Sequence, residues 1–339
     1  MKYLFLGAGA IGTYLAGSLA ARGEDVAIVE QPAVAAHIAA NGLIVHRGGH
    51  TRTERNLTLF TSPGEALATR HDVCVFALKS FDTRAAIDSL VATGREVPPV
   101  LSFQNGVDNE PLIGARIGAD RVIAGTVTTA IAKPGLGEVI EETHRGIGIA
   151  VGHELSERLV ASIDNAGLRA RAYPQAGPMK WSKLLTNLTG NATSAILDLP
   201  VADLFADRRL YEVEVAVLRE CLGVMDALGY APVDLPGTPV RALALATRLP
   251  RFVAQPVLGK ALGAGRGNKM PSFHIDLHGG RGCTEVRWLN GAVVRHGEAH
   301  GVPTPVNRIL TETLEDLSAG RQSVEAYRHN PDALLRLLP

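Results

Sequence analysis

The fold is decided by residues 2–12, which read KYLFLGAGAIG. The apolar run over residues 2–6 predicts a short buried strand, and the glycines that follow lead into a helical run ending at Gly23. A second strand is predicted at residues 25–29, so the G-x-G-x-x-G pattern has the strand–helix–strand context of a dinucleotide-binding fingerprint. Glycines there permit a tight turn and let backbone N–H groups approach a pyrophosphate. We therefore expect cofactor contacts from Gly7, Gly9, Ala10, Ile11 and Gly12.

Glu30, at the end of the second predicted strand, bears on the choice of cofactor. It stands eighteen positions after Gly12, close to where an acidic side chain binds the ribose hydroxyls of NAD. A carboxylate there also repels the 2′-phosphate of NADP. The alternative is that Glu30 only caps a helix that begins around Pro32.

Four more segments are typical of strands, and they cover residues 42–46, 55–60, 72–78 and 99–103. Lys79 follows one of them and Asn105 another, at the edge of an open sheet where ligands bind. We expect Lys79 to meet the cofactor phosphate or the adenine ribose, and Asn105 to approach the nicotinamide half. The alternatives are an ordinary lysine at a helix start and a plain turn at Asn105-Gly106.

The pattern changes from strands to helices after about residue 174. Before that point we expect edge strands that complete the first domain at 122–131, 137–141, 147–151 and 169–172, with a helix at 155–166. Beyond it, helical periods cover 210–228, 239–247 and 285–300. The predicted fold is of the α/β class, an N-terminal Rossmann-type doubly wound sheet followed by an all-helical C-terminal domain. We place the dinucleotide-binding domain at residues 1–175 and the helical substrate and catalytic domain at residues 176–339.

Composition argues against several classes of protein. Of 339 residues, 46% are hydrophobic and 20% charged, which suits folded cores rather than disorder. Lys plus Arg and Asp plus Glu each number 34, so the formal net charge is zero and nothing indicates nucleic acid or a membrane as a partner. The three cysteines form no C-x-x-C pair, and no apolar run has membrane-spanning length. We therefore expect a cytoplasmic protein.

Residues 180–194 read KWSKLLTNLTGNATS and predict one amphipathic helix that opens the second domain. Its polar stripe consists of Lys183, Asn187, Asn191 and Ser194. Asparagine costs up to about 0.7 kcal/mol relative to alanine in a helix interior, so the stripe indicates groups kept for hydrogen bonding. The alternative is a solvent-exposed face of small polar residues.

Two later segments are ambiguous. Residues 259–269, which read GKALGAGRGNK, are glycine-rich and basic. This composition predicts either a mobile loop that covers a site or steers an anionic substrate, or a flexible connector. His274 and His278 are four positions apart with Cys283 and Glu285 nearby, but without a further clear ligand motif we expect no metal site.

Several motifs follow one another in order: GAGAIG at 7–12, Lys79, QNGV at 104–107, W-x-K-L-x-x-N-x-x-x-N at 181–191, MPS at 270–272 with Asp276, TEV at 284–286, NGAVV at 290–294 and PTPVN at 303–307. Together they resemble the ketopantoate reductase (2-dehydropantoate 2-reductase) family, from residue 1 to about 310. The resemblance implies a cytoplasmic enzyme of pantothenate biosynthesis. It also implies that a branched 2-oxo acid is reduced with NAD(P)H in a cleft between two domains.

The resemblance further implies roles for five residues. Lys183 is the general acid, because hydride attack builds negative charge on the ketone oxygen and an ammonium with an ordinary pKa of about 10.4 can protonate it. Asn187 and Asn191 hydrogen-bond substrate hydroxyl or carboxylate oxygens, and Ser272 holds the carboxylate. Glu285 orients Lys183 or bridges cofactor and substrate. Alternatively, Glu285 and Lys183 form only a structural ion pair.

The chain departs from the family pattern at a few positions. The family usually has arginine at the position of Gln31, where it meets the 2′-phosphate of NADP, so the pair Glu30-Gln31 favours NADH. Residues 199–202 read LPVA where the family often has Asn-Gly after the proline, and Phe273 and Ile275 replace methionine and glutamine. These changes leave open which 2-oxo acid is the substrate.

Two other classes of protein remain alternatives at this point. One is a cleft dehydrogenase for an opine or a 3-hydroxy acid, which would not need the set Lys183, Asn187, Asn191 and Glu285. The other is a non-catalytic, dinucleotide-binding redox sensor. The apolar helices at 210–228 and 286–294 are expected to be either core or the surface of a homodimer.

Overall fold

The computed structural model describes residues 1–264 and 270–338. The chain divides into two compact units. The first comprises Met1–Lys180 and the short return segment Leu235–Thr238, and the second comprises Trp181–Asp234 and Pro239–Pro339. The first unit contains both sheets of the structure, and the described part of the second unit is helical.

The first unit is built on a large sheet with helices on both faces. Its strands are β1 (Lys2–Leu6), β2 (Asp25–Val29), β3 (Leu43–Arg47), β4 (His50–Glu54), β5 (Thr58–Phe60), β6 (Val73–Phe76), β7 (Val100–Ser102), β8 (Val122–Val127), β9 (Ala130–Gly135), β10 (Glu138–Thr143), β11 (Ile147–Ala150) and β12 (Ala170–Tyr173). Its helices are α1 (Ala10–Ala20), α2 (Pro32–Asn41), α3 (Pro63–Ala66), α4 (Thr83–Val91), α5 (Asn109–Ile117) and α6 (Ser156–Asn165).

The large sheet has eight strands in the order β12-β11-β8-β7-β6-β1-β2-β5. Neighbouring strands are parallel except β8 and β11, which are antiparallel. The chain runs outward from β1 in both directions, which makes the sheet doubly wound. The carboxyl ends of β1, β2, β6 and β7 therefore lie at one edge of the sheet.

β1 explains why the sheet is covered on both faces. Tyr3 and Phe5 join a core cluster that includes side chains of α1 and α6. Leu4 and Leu6 join a second cluster that includes side chains of α3, α4 and α5. Because alternate residues of a strand point to opposite faces, a strand buried on both sides reads as a continuous apolar run. The predicted Rossmann-type sheet is confirmed.

A second sheet, of four strands in the order β4-β3-β10-β9, was not predicted. The segment expected as one strand at 122–131 is two strands, β8 and β9. Outside the large sheet, β10 pairs with both β9 and β3. The chain turns away after β8, where the N–H of Thr128 donates to the oxygen of Gly146 at 3.0 Å. β4, HTRTE, was missed because it is polar and largely exposed. The sheet lies over α1, where a Cβ on Gly17 would come within 2.7 Å of Val45 Cγ2.

The second unit consists of helices. They are α7 (Ala176–Leu188, whose first residues belong to the first unit), α8 (Asn191–Leu197), α9 (Val201–Ala206), α10 (Arg208–Ala227), α11 (Val240–Ala246), α12 (Arg251–Ala264), α13 (Ser272–His278), α14 (Asn290–Ala299), α15 (Pro305–Ser318) and α16 (Pro331–Leu335). The predicted helical C-terminal domain is confirmed. Leu218 of α10 and Val293 of α14 are fully buried, so the apolar faces of these helices contribute to the core. In the described residues no helix combines the length and apolar character needed to cross a membrane.

The single helix predicted over residues 180–194 is broken at Gly190. This residue has φ of +64°, and its N–H donates to the buried carboxylate of Glu214 at 2.6 Å. A Cβ on Gly190 would lie 2.9 Å from two methyl carbons of Val201. The break separates Asn187, on α7, from Asn191, the first residue of α8.

The loop predicted at 259–269 is corrected in part. Residues 259–264 are the last turns of α12, because the run KALGA has good helix formers that outweigh its glycine. Residues 265–269 lie outside the described part of the chain.

Candidate functional site

The glycine loop after β1 has the geometry that a pyrophosphate needs. Gly7 has φ of +86°, and a Cβ on Gly12 would lie 2.4 Å from the carbonyl oxygen of Gly7, so only glycine lets α1 start this close to the strand. The nearest atom to a Cβ on Gly9 would be Ala77 O at 3.9 Å, so the space beside Gly9 is open. α1 begins at Ala10 with no acidic residue in its first turn, which favours an anion there. The loop fits a dinucleotide.

Glu30 lies against this loop at the carboxyl end of β2. One carboxylate oxygen accepts the N–H of Ala8 at 2.6 Å, and the other accepts the N–H of the exposed Gln31 at 2.9 Å. Lys133 of β9 donates from Nζ to the carbonyl oxygen of Ala8 at 3.1 Å. The loop is thus held between a carboxylate and an ammonium. Lys133 was not predicted as part of this region, because only the second sheet brings its strand here.

A buried polar network joins the two loops that carry Lys79 and Asn105. Gln104 Nε2 donates to Thr83 Oγ1 at 2.7 Å, and Asn109 Nδ2 donates to the carbonyl oxygen of Asn105 at 2.7 Å. Thr83 Oγ1 in turn donates to Asn109 Oδ1 at 2.8 Å. Because these three side chains are almost fully buried, the network holds both loops in one arrangement at the sheet edge.

Lys180 is a buried cation to which we assigned no role from the sequence. It is 5% exposed, and its Nζ donates to the carbonyl oxygen of Gln104 at 2.6 Å and lies 2.8 Å from Glu110 Oε1. It therefore braces the loop that leads to the predicted nicotinamide contact. The sequence did indicate a buried, paired lysine. Lys180 is in helical register with Leu184 and Leu188 on the apolar side of the helix, where a lysine is rare unless it is paired.

In the second unit, Lys183 and Asn187 lie one turn apart on α7. Both are half-buried, whereas Leu184, Leu185 and Leu188 of the same helix are at most 1% exposed. The polar pair thus borders the buried face of the helix. This position gives the ammonium and the amide a partly desolvated environment, in which hydrogen bonds to charged groups are stronger than in water.

Asn191 connects three helices. Its Nδ2 donates to the carbonyl oxygen of Asn187 at 3.1 Å and to Ser272 Oγ at 3.3 Å, and its Oδ1 accepts the N–H of Phe273 at 3.0 Å. The structure therefore brings Asn187, Asn191 and Ser272 together although they come from α7, α8 and α13. Both amide hydrogens of Asn191 are engaged in these bonds, whereas Ser272 is exposed at the start of its helix.

Glu285 is 3% exposed and lies just before a 3₁₀ turn, Val286–Trp288, that packs against α14 and α15. The N–H of Trp288 donates to its carbonyl oxygen at 2.9 Å. A buried carboxylate needs a charged or hydrogen-bonding partner. All five predicted catalytic and substrate residues belong to the second unit, and the predicted cofactor residues belong to the first.

The chemistry of the two units differs accordingly. The first has a cradle for a pyrophosphate with an acidic group beside it. The second has an ammonium, carboxamides, a hydroxyl and a buried carboxylate, which are groups able to bind a carboxylate and to protonate a developing oxyanion.

Two family models match the chain. The model described as ketopantoate reductase PanE/ApbA matches residues 3–153, and the model described as ketopantoate reductase PanE/ApbA C terminal matches residues 177–318. Between them they match well over half of the chain.

Individual proteins are similar along nearly the whole length. The 2-dehydropantoate 2-reductase of Pyrococcus horikoshii is 31% identical over 336 residues, which cover 94% of this chain and 99% of that protein. The crystal structure of a PanE/ApbA family ketopantoate reductase from Ralstonia eutropha JMP134 has a TM-score of 0.81 at 28% identity, covering 95% of this chain and 100% of that one. The ternary structure of D-mandelate dehydrogenase with NADH and anilino(oxo)acetate shares the fold, with a TM-score of 0.77 at 20% identity over 94% and 99% of the two chains.

The two matched segments occur in the order of the two structural units, and the glycine loop fits the cofactor of such reductases. The chain belongs to the ketopantoate reductase family and is an oxidoreductase that uses a nicotinamide cofactor and a small-molecule substrate.

Proposed function

We propose that the protein reduces the ketone of a branched 2-oxo acid, ketopantoate to pantoate, in pantothenate biosynthesis. Residues 1–175 bind the cofactor and residues 176–339 bind the substrate and supply the catalytic groups. The observation that carries the proposal is the hydrogen-bonded set of Asn187, Asn191 and Ser272, with Lys183 one turn away on α7. Two distant parts of the sequence, on three helices, thus contribute groups for one small polar ligand.

The residues of the second unit act on the substrate as follows. The bound reduced nicotinamide supplies the hydride that attacks the ketone carbon. Lys183 donates a proton from Nζ to the ketone oxygen as negative charge develops there, and solvent then reprotonates the amine. Ser272 donates from its exposed hydroxyl to the substrate carboxylate. Asn187 binds a substrate oxygen, and Glu285 orients Lys183 or bridges cofactor and substrate.

Asn191 has a narrower role than the sequence alone suggests. Its two amide hydrogens already bond to Asn187 and Ser272, so a direct bond to the substrate would require one of them to break. We infer that Asn191 chiefly positions Ser272, and that Ser272 makes the contact.

The cofactor preference follows from Glu30 and Gln31. The Glu30 carboxylate, which accepts the N–H of Ala8, lies at the carboxyl end of β2. There it can accept hydrogen bonds from both ribose hydroxyls of NADH. The same charge repels a 2′-phosphate, and Gln31 provides no positive charge to offset it. The backbone of Ala10 and Ile11 binds the pyrophosphate, Lys79 the phosphate or adenine ribose, and Asn105 the nicotinamide half.

The identity of the 2-oxo acid is the most specific part of the proposal. Phe273 is fully buried and Ile275 half exposed on α13, where the family pattern has methionine and glutamine. D-mandelate dehydrogenase, whose ternary structure contains NADH and anilino(oxo)acetate, shares this fold. An aryl 2-oxo acid is therefore the second substrate to test.

The test is a substrate screen with the purified full-length protein. Oxidation of NADH and of NADPH is followed by absorbance with ketopantoate, with unbranched 2-oxo acids and with phenylglyoxylate. We expect ketopantoate with NADH to give the highest kcat/KM. Turnover of only another 2-oxo acid would overturn the substrate assignment, and binding of NADH without turnover of any oxo acid would favour the redox-sensor alternative.

A further inference from the structure

Asp198 ends α8 in the left-handed conformation, with φ of 52°, and faces two histidines of α13. Its Oδ1 lies 2.6 Å from His274 Nε2. His278 follows one helical turn later, and the two imidazole rings stack with centroids 4.2 Å apart. One ligand atom from each of the three residues lies within 4.8 Å of the others. Across residues 1–264 and 270–338, this is the one group of three such side chains close enough to hold a metal ion.

We propose that Asp198, His274 and His278 form a binding site for a divalent transition metal ion such as Zn²⁺. Two imidazoles and one carboxylate are a donor set that Zn²⁺ and its first-row neighbours prefer, whereas Mg²⁺ and Ca²⁺ prefer oxygen atoms throughout. Histidines four positions apart on one helix present both rings to the same ion. The third position of the set comes from a different helix, which the sequence spacing did not indicate.

Small movements complete the coordination. Tetrahedral Zn²⁺ with ligands at about 2.0–2.2 Å needs ligand atoms roughly 3.3–3.5 Å apart. Separations near 4.8 Å must therefore contract, and the 2.6 Å contact between Asp198 Oδ1 and His274 Nε2 must lengthen. His278 is exposed and can rotate, at the cost of the bond from its Nε2 to Ala195 O at 3.1 Å.

Arg328 sets the orientation of the carboxylate. Its Nε lies 3.0 Å from Asp198 Oδ2, the oxygen opposite the one that faces His274. His329 Nε2 is 3.9 Å from the same Oδ2. The positive charge of Arg328 weakens the attraction of the site for a cation. Its ion pair with Oδ2, however, orients Oδ1 of Asp198 toward the histidines, and residues that hydrogen-bond to a metal ligand commonly orient it in this way. Oδ1 is therefore the metal ligand.

The site would tie α13 to α8. The amino ends of these helices are already joined by Asn191 and Ser272, and the metal would join Asp198 at the carboxyl end of α8 to the histidines of α13. An ion that binds only the folded state raises its stability by an amount that grows with the logarithm of the ion concentration above the Kd. The bound ion would thus hold the second unit together without touching the reacting atoms.

The test uses full-length protein with any affinity tag removed, because histidine tags bind the same metals. After treatment with a chelator, Zn²⁺ is titrated by calorimetry, and Co²⁺ is added as a spectroscopic probe of nitrogen and oxygen ligands. We expect one Zn²⁺ per chain, a rise in the Tm, and a loss of affinity of about tenfold or more in His278→Ala and Asp198→Asn. Because His278 is exposed, its variant should fold, as far-UV circular dichroism would verify.

His300→Ala is the matched control. His300 is an exposed histidine four positions after His296 on α14, outside the Asp198 group. This variant should bind Zn²⁺ as the unchanged protein does. Absence of saturable binding, or equal affinity in His278→Ala, would overturn the proposal.

Discussion

At the scale of single residues, the contact between Glu30 and the glycine loop has the clearest consequence. The carboxylate accepts the N–H of Ala8 at 2.6 Å, and in the proposed function it also binds the ribose hydroxyls of NADH. A 2′-phosphate there would meet a like charge at short range, and such repulsion is strong where the site is partly desolvated. We therefore expect this one side chain to affect both the affinity for NADH and the rejection of NADPH.

The double variant Glu30→Ala/Gln31→Arg should reverse this preference. Removing the carboxylate abolishes the repulsion, and the guanidinium offers two parallel hydrogen bonds to a phosphate. We expect the ratio of kcat/KM for NADPH to that for NADH to rise by about tenfold or more, which corresponds to ~1.4 kcal/mol. The measurement is steady-state kinetics with each cofactor at a fixed oxo acid concentration.

Asp25→Ala is the control for that experiment. Asp25 is an exposed carboxylate at the opposite end of the same strand, where it forms a long ion pair to Lys2 at 3.7 Å. Its loss should leave the cofactor ratio unchanged. If the double variant behaves like this control, Glu30 does not determine the preference.

At the scale of elements, the break between α7 and α8 determines where the amides of Asn187 and Asn191 point. Gly190 makes the break possible because its φ of +64° is costly for other residues. Glu214, only 1% exposed, accepts the N–H that the break releases. A continuous helix would have carried Asn191 around the same face as Asn187, and its bonds to α13 would be lost.

Gly190→Ala should therefore be strongly destabilising. The alanine would have to keep the positive φ of Gly190, and its Cβ would lie 2.9 Å from two carbons of Val201. We expect a loss of about 1–3 kcal/mol in the free energy of unfolding, measured by urea denaturation. Gly229→Ala is the comparison, because Gly229 has φ of +72° but no atom within 4 Å of its Cβ. Equal losses in the two variants would mean that the contact with Val201 contributes nothing.

Lys180→Met addresses the loop that precedes Asn105. The substitution leaves the largely buried carboxylate of Glu110 without its cation and Gln104 O without its donor. We expect a loss of about 3–5 kcal/mol in the free energy of unfolding, as for other broken buried ion pairs. The KM for NADH should also rise because the loop is no longer braced.

The double variant Lys180→Met/Glu110→Gln separates charge from packing. Removing the stranded carboxylate should restore part of the lost stability. If Lys180→Met alone unfolds no more easily than the unchanged protein, the ion pair does not hold the loop.

At the scale of the whole molecule, the three thiols report on the two units separately. Cys74 in β6 and Cys221 in α10 are fully buried, and burial raises the pKa of both thiols, so neither should react with a thiol reagent in the native state. Cys283 is half-buried and should react alone. Cys283→Ser should abolish labelling of the folded protein, and rapid labelling of that variant would contradict the buried positions.

The same thiols can be used to follow unfolding. Cys74 lies in the first unit and Cys221 in the second. Pulse labelling of Cys283→Ser across a urea gradient should expose each thiol when its own unit opens. Coincident exposure would indicate a single cooperative transition, and separate midpoints would indicate independent units.

The parts of the fold that follow local rules were predictable from the sequence. β1, the glycine loop and α1 are determined by four consecutive buried apolar residues at 3–6 and by glycines whose φ values or close contacts exclude other residues. The second sheet was not predictable, because pairing of β3 with β10 joins residues about a hundred positions apart. Polar β4 has no apolar pattern by which to recognise it.

In the candidate site, too, local features were predictable from the sequence and long-range contacts were not. The spacing of Lys183 and Asn187 on one helix was readable from the sequence, whereas the turn at Gly190 was hidden inside a run that otherwise suits a helix. The partners of Lys180 and of His274 come from distant segments, Glu110 and Asp198, and only the folded chain brings them together. Long-range contacts thus account for the features of the site that could not be predicted from the sequence.

The most direct test of the account compares the unchanged protein with Lys183→Ala. The kcat for reduction of ketopantoate is measured at saturating NADH, and the Kd for NADH is measured by fluorescence. Lys2→Ala, an exposed lysine at the amino end of β1, serves as the control. Loss of the proposed proton donor should lower kcat by ~10²–10⁴-fold and leave the Kd for NADH unchanged. A Lys183→Ala protein that reduces ketopantoate as fast as the Lys2→Ala control would contradict the account.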